Sequence, residues 1–145
     1  MRVAIAGATG RMGRTLIEAV LGAGDLKLAA ALDVEGNPFL GRDAGETVGS
    51  PCGVLVSADL AALAAADCLI DFTRPEGTLA HLDRCLASGT RMVIGTTGFS
   101  AEHKQRIELA SKRIGIVFSP NMAIAVNASF KLAELATEVQ IARVF

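Results

Sequence analysis

Val3-Ala4-Ile5-Ala6-Gly7-Ala8-Thr9-Gly10-Arg11-Met12-Gly13 opens the chain as a short apolar strand running into a glycine-rich turn, with an amphipathic helical stretch directly behind it. In that order the three parts bring unpaired backbone N–H groups and the positive end of a helix dipole to one point, where a pyrophosphate can sit. Gly7 and Gly10 allow the tight turn and close approach of a ligand, while Gly13 lets the helix pack closely on the strand. The spacing is GxxGxxG, with Ala8 where the strict GxGxxG pattern has its first glycine. Taken alone, the stretch therefore also fits a glycine turn without a ligand.

The next apolar run, residues 27–32, ends in Asp33, 20 residues after Gly13. A dinucleotide fold puts at this place the acid that binds the adenosine ribose hydroxyls. A lone Asp after a strand is ordinarily a turn residue; joined to the glycine turn at this spacing, Asp33 reads as a ribose ligand.

Further strand-like apolar runs fall at residues 54–56, 68–72, 92–94 and 114–118, with helical stretches between most of them. Helix-start signals stand at Ser57, at Thr73 and Pro75 ahead of a segment to Leu86, and at Ser100 with Glu102 ahead of a segment to Lys112. Alternation of this kind predicts parallel strands with crossover helices: an α/β, Rossmann-type doubly wound parallel sheet in three αβα layers, as a single domain. Residues 36–53, rich in Gly, Pro and Asp, read as the one extended loop and as the most mobile part.

Composition narrows the function classes. A chain of 145 residues fits one domain and is too short for a two-domain dehydrogenase. Half the residues are apolar, yet no apolar run approaches the roughly 18 residues that would span a bilayer, and the start shows no signal-peptide pattern. A net charge of −1 without a Lys or Arg cluster gives no footprint for nucleic acid or an anionic membrane. Cys52, Cys68 and Cys85 suggest neither disulfides nor a metal site, so a reducing cytoplasm is expected. Cys68 and Cys85 read as small buried hydrophobes, and His81 and His103, within helical segments, as surface or packing residues away from the strand ends.

In open parallel sheets a ligand lies outside the carboxyl ends of the strands. Those ends carry the glycine turn, Asp33, Asp71-Phe72-Thr73-Arg74-Pro75, Gly95-Thr96-Thr97-Gly98 and Ser119-Pro120-Asn121-Met122. Each turn alone fits ordinary loop chemistry. Their coincidence on one sheet edge points to an extended cofactor, with the glycines, hydroxyls and amides of residues 95–98 suited to its nicotinamide half.

Residues 3–14, Ile70-Asp71-Phe72-Thr73-Arg74-Pro75, Val93-Ile94-Gly95-Thr96-Thr97-Gly98-Phe99, and Pro120-Asn121 followed by Val126-Asn127 closely resemble the 4-hydroxy-tetrahydrodipicolinate reductases, also called dihydrodipicolinate reductases. The match runs from residue 1 to about residue 135. The resemblance implies an oxidoreductase of lysine and diaminopimelate biosynthesis that transfers hydride from NADH or NADPH to a cyclic dicarboxylate, yielding tetrahydrodipicolinate. It implies a dinucleotide-binding domain over residues 1–122. Residues 123–145 would then be the hinge and the start of a substrate domain that also builds a homotetramer. Carried over residue by residue, the cofactor contacts are Gly7, Ala8, Thr9, Gly10, Arg11 and Met12 at the pyrophosphate, with the Arg11 guanidinium beside the phosphates. Asp33 falls at the adenine ribose, and Gly95, Thr96 and Thr97 near the nicotinamide. Ser119, Pro120, Asn121 and Met122 form the turn that closes over it. Family members that use NADPH well often carry an arginine after the ribose acid; Val34 stands there, and Asp33 would repel a 2′-phosphate, so NADH is the expected preference.

The family's His-His pair, the Lys after it and its Asp-Ala-Pro-Ser-Gly-Thr segment do not occur among these residues, so no catalytic residue is assigned. Without the family's last elements, part of the apolar face of residues 123–145 is expected to be left uncovered. Two function classes follow: the cofactor half of a reductase, or an NAD(H)-binding module without chemistry, such as a truncated paralogue. Turnover with substrate separates them. A short-chain dehydrogenase needs a Tyr-x-x-x-Lys pair, and the chain has no tyrosine. A cysteine-dependent aldehyde dehydrogenase needs an activated thiol at a strand end, which none of the three cysteines supplies.

Overall fold

All six expected strands lie parallel in one sheet of the computed structural model, which describes residues 1–123 and 126–134. In chain order they are β1 (Arg2–Ala6), β2 (Lys27–Leu32), β3 (Val56–Ser57), β4 (Cys68–Asp71), β5 (Arg91–Ile94) and β6 (Ile116–Phe118). Their spatial order is β3-β2-β1-β4-β5-β6. The chain winds outward from β1 to β3, then returns to β4 on the other side of β1. That reversal leaves a crevice outside the carboxyl ends of β1 and β4, the place where doubly wound sheets bind their ligands.

Three α-helices make the main crossovers: α1 (Arg11–Gly22), α2 (Pro75–Ser88) and α3 (Ala101–Ser111). The α1 helix buries Gly13, Ile17 and Val20. Pro75 starts α2 with a φ already suited to a helix, and Gly89 ends it in the left-handed region at φ +75°. Ser100 caps α3 by accepting a hydrogen bond from the His103 N–H.

The sheet separates two apolar cores. Leu69, Met92 and Ile94 meet Leu82, Cys85, Ile107 and Ala110 on the α2/α3 side; Val3, Ile5 and Ala31 meet Ile17 and Val20 on the α1 side. The second side is covered unevenly. Ile5, Ile70, Val93 and Val117 stand in one register row across β1, β4, β5 and β6. Ile5 is fully buried at one end of that row and Val117 is 59% exposed at the other. Among the described residues, Phe130 and Leu132 are exposed too, within helical residues 126–134.

Local departures from the sequence reading have physical causes. The segment after β3 is a 3-10 helix, Leu60–Ala65, rather than an α-helix. That cap is Asp59, accepting from the Ala61 N–H at 2.8 Å; Ser57 instead accepts from the Asp59 N–H at 3.0 Å. The sixth strand begins at Ile116, since the Ile114 N–H still bonds back to Ala110 at the end of α3.

The 36–53 stretch holds a 3-10 segment, Ala44–Val48, and an isolated antiparallel bridge between Asp43 and Leu55. Asp43 organises it, accepting from the N–H groups of Gly45 (2.7 Å), Cys52 (3.0 Å) and Gly53 (2.6 Å). A loop expected from composition to be slack is thus internally bonded, because one carboxylate gathers several backbone donors.

Candidate functional site

A cleft of about 1350 Å³ opens at the carboxyl ends of β1, β2 and β4. One wall is the glycine turn with Arg11 and Met12. A second is Asp33, Val34 and Glu35, and a third runs from Phe72 through Thr73, Arg74 and Gly77 to His81. Its volume exceeds that of a typical small-molecule pocket and suits an extended ligand.

The glycines act individually. Gly7 takes φ +65°, a conformation that disfavours any side chain. A methyl on Gly13 would overlap the Gly7 carbonyl and the Ala8 backbone, so this position lets α1 sit against the turn. At Gly10, the α1 N-cap, an added Cβ would come 3.2 Å from the Gly7 oxygen, and no side chain caps the helix.

Several turn donors are already committed. The Ala8 N–H bonds to the Leu32 oxygen (2.9 Å), the Gly10 N–H to the Gly7 oxygen (3.0 Å), and the Thr9 N–H to Asp33 Oδ2 (2.9 Å). An anion here is left with the first-turn N–H groups of α1, which lack intrahelical partners, and with the Arg11 side chain. The first turn of α1 carries no acidic residue that would repel it.

Asp33 is locked in place. Thr9 donates to Oδ2 through Oγ1 (2.7 Å) as well as N–H, Val34 N–H donates to Oδ1 (2.9 Å), and Asn37 supports Thr9 Oγ1 at 2.9 Å. Burial pushes the Asp33 carboxyl up, but the bonds from Thr9, Val34 and Asn37 together outweigh it and hold the group below the usual carboxylate range. A carboxylate offers about four acceptor sites, so one on Oδ1 stays open for a ligand hydroxyl.

The residues expected near a nicotinamide are placed differently. Gly95 is there for Phe72: a methyl at Gly95 would overlap that ring. Thr96 is buried, accepts from Thr78 Oγ1 (2.9 Å) and reaches Asp71 Oδ1 at 3.4 Å, so its hydroxyl works inside the protein. Thr97 is exposed. Ser119 Oγ donates to the Asn121 carbonyl at 2.7 Å; Pro120 and Met122 are exposed. None of Gly95 through Thr97, nor Ser119 through Met122, belongs to the cleft lining, and Ala8 lies buried beneath it.

His81 corrects the sequence reading. Its helix begins at a strand end, and the imidazole reaches back so that Nδ1 lies 2.7 Å from Oδ2 of Asp71, at the tip of β4. The residue lines the cleft. The available signal was Asp71 at a strand end followed by a helix that turns His81 back over its own first turns. His103, by contrast, packs edge-on against Phe99, as a packing residue would. Burial, with nearby acidic charge, pushes the Cys85 thiol up to about 12, consistent with an inert core cysteine.

Three comparisons bear on this geometry. The family model described as "Dihydrodipicolinate reductase, N-terminus" matches residues 1–122. A 4-hydroxy-tetrahydrodipicolinate reductase of Bordetella parapertussis is 56% identical over 138 residues, 95% of this chain and 51% of that protein. One from Aromatoleum aromaticum is 59% identical over 140 residues, 96% of this chain and 51% of that protein. The chain thus spans about half the length of the curated relatives it matches. Among solved structures, a dipicolinate-bound dihydrodipicolinate reductase from Paenisporosarcina sp. TG-14 superposes with TM-score 0.75 at 30% identity, covering 94% of this chain and 53% of that one. An amine dehydrogenase from Mycobacterium smegmatis, at TM-score 0.66 and 21% identity over 80% of this chain and 37% of its own, shares the fold.

Proposed function

The chain belongs to the dihydrodipicolinate reductase family, and we propose that it is the cofactor-binding half of a 4-hydroxy-tetrahydrodipicolinate reductase, with residues 1–122 as the dinucleotide-binding domain. The observation that carries this reading is the cleft where the strand order reverses, walled by the glycine turn and by a pre-locked Asp33. These residues fit a nicotinamide dinucleotide: the first turn of α1 and Arg11 would hold the pyrophosphate, and Asp33 Oδ1 a hydroxyl of the adenosine ribose. NADH would be the preferred form, because the ionised Asp33 would face the 2′-position of a bound adenosine ribose and Val34 offers no positive charge. Gly95, Thr96 and Thr97 lie outside the cleft lining, so in this reading an extended cofactor would reach beyond the cleft to bring its carboxamide to their backbone groups, with the Gly95 N–H already bonded to the Asp71 carbonyl and the Thr96 hydroxyl engaged internally. When bound, the reduced nicotinamide supplies hydride.

Residues 123–145 are read as the hinge into a substrate and tetramer-forming region; residues 124–125 and 135–145 lie outside the described residues. The cyclic dicarboxylate and the cytoplasmic setting belong to this same proposal. No helix among the described residues is long and apolar enough to cross a membrane.

Titration with NADH tests the reading. Nucleotide fluorescence reports binding without interference, because the chain has no Trp or Tyr. We expect saturable binding that weakens strongly in Gly10→Val and Asp33→Ala. Undiminished affinity in both variants would overturn the assignment. Turnover with enzymatically generated 4-hydroxy-tetrahydrodipicolinate then separates a reductase from a module that only binds.

A further inference from the structure

We propose that Asp71 is a positioning residue that fixes the His81 ring, so that His81 Nε2 accepts a hydrogen bond from a sugar hydroxyl on the nicotinamide side of the bound dinucleotide. The inference rests on the cofactor reading above and adds two residues to it.

Asp71 is fully buried at the carboxyl tip of β4 and is the hub of that edge. Its Oδ1 accepts from Thr73 N–H (2.9 Å) and Thr73 Oγ1 (2.6 Å), its Oδ2 faces His81 Nδ1 at 2.7 Å, and its own carbonyl accepts from Gly95 N–H at 2.9 Å. Burial pushes the carboxyl up, but the bonds from His81 and Thr73 outweigh it and keep it below the ordinary range. The two Thr73 donors on Oδ1 favour the ionised carboxylate independently of His81, and an ionised carboxylate only accepts.

An acceptor-only partner at 2.7 Å requires that Nδ1 carry the proton. In the neutral ring this leaves a lone pair on Nε2, whose natural partner is a hydroxyl donor. The ring is 13% exposed in its side chain, and its residue lines the cleft. Space for a ligand is opened by Gly77, one turn earlier on α2. A methyl there would stand 3.2 Å from Thr73 Oγ1 and 3.9 Å from His81 Cε1, so the missing side chain leaves a notch between the two. Phosphates on the glycine-turn wall and the adenosine ribose at Asp33 leave this third wall for the other sugar.

The test compares NADH with ADP, which carries the adenosine and phosphates but lacks the second sugar. In His81→Ala we expect NADH affinity to fall about three- to tenfold, the range of one hydrogen bond, with ADP affinity unchanged. Nitrogen NMR of the neutral imidazole, assigned with His103→Gln since the sequence holds only 2 histidines, should show Nδ1–H with an unprotonated Nε2. In Asp71→Asn, whose amide can donate to Nδ1, the tautomer should shift toward Nε2–H. Because the wild-type tautomer is read without any substitution, the inference stays testable if Asp71→Asn does not fold. Equal losses for NADH and ADP, unchanged NADH affinity in His81→Ala, or an Nε2–H ring in the wild type would each overturn it. A wild-type chain that binds neither nucleotide would instead defeat the cofactor reading, and this inference with it.

Discussion

Gly13 on α1 and Gly7 at the end of β1 are packed backbone to backbone, with no room for a methyl between the Gly13 Cα and the Gly7 carbonyl. The obstacle is main chain, which a rotamer change cannot relieve. Gly13→Ala should therefore cost about 3 kcal/mol, the upper end of overpacking penalties, through displacement of the helix start from the turn. At Gly10, with ordinary extended φ and a Cβ 3.2 Å from the same oxygen, alanine should cost clearly less. Thermal unfolding of the two variants side by side checks the order; equal destabilisation would show that the close approach at Gly13 relaxes freely.

Cofactor choice turns on Asp33 and its neighbour. Asp33 stays ionised at neutral pH, and Val34 beside it is 71% exposed. Replacing Val34 should leave the core intact while placing a guanidinium where a 2′-phosphate would sit. We expect the wild type to favour NADH, and Val34→Arg to move the NADPH/NADH affinity ratio upward by about tenfold, the scale of one charge-assisted hydrogen bond. Competition between the two nucleotides measures it, and a ratio unmoved by Val34→Arg would place the 2′-position elsewhere.

Acid should loosen two identifiable ties. Backbone donation, from Cys52 first, holds Asp43 at about 2, and the Arg2 side chain holds Asp67 at about 2, both below the ordinary 3.8. Carboxyls depressed in the folded state contribute stability that is complete above their unfolded pKa and is lost as pH falls through the folded value. Their contributions should therefore disappear between about pH 4 and pH 2. Melting temperature followed across that window should fall less steeply in Asp43→Asn than in the wild type. Parallel curves would remove Asp43 from the account.

The sheet was legible because apolar runs separated by helix signals fall at all six strand positions, and the glycine turn with Asp33 located the crevice. What stayed hidden was where donors and hydroxyls point. Thr9 and Thr96 read as ligand-facing in sequence, yet each is engaged by a carboxylate distant along the chain, Asp33 and Asp71 respectively. His81 was misread for the same reason: a helical position does not reveal that its ring folds back over Gly77 to a strand tip. Asp43 shows the limit from the other side, since nothing in a Gly- and Pro-rich stretch announces that one acid will collect the donors of three residues.

The placement of β1 at the centre of the sheet has a kinetic consequence. Its partner β4 lies far along the chain: Arg2 and Asp67, which bond where the two strands begin, are 65 positions apart. Parallel pairing excludes a tight hairpin, so the loop between them must close before the central pair contributes anything. During synthesis the first strand made can join β2 early but has an open edge until β4 emerges. Folding should therefore be limited by this late, long-range closure, in roughly milliseconds or longer, and substitutions at the β1–β4 seam should slow refolding more than equally destabilising ones in α3.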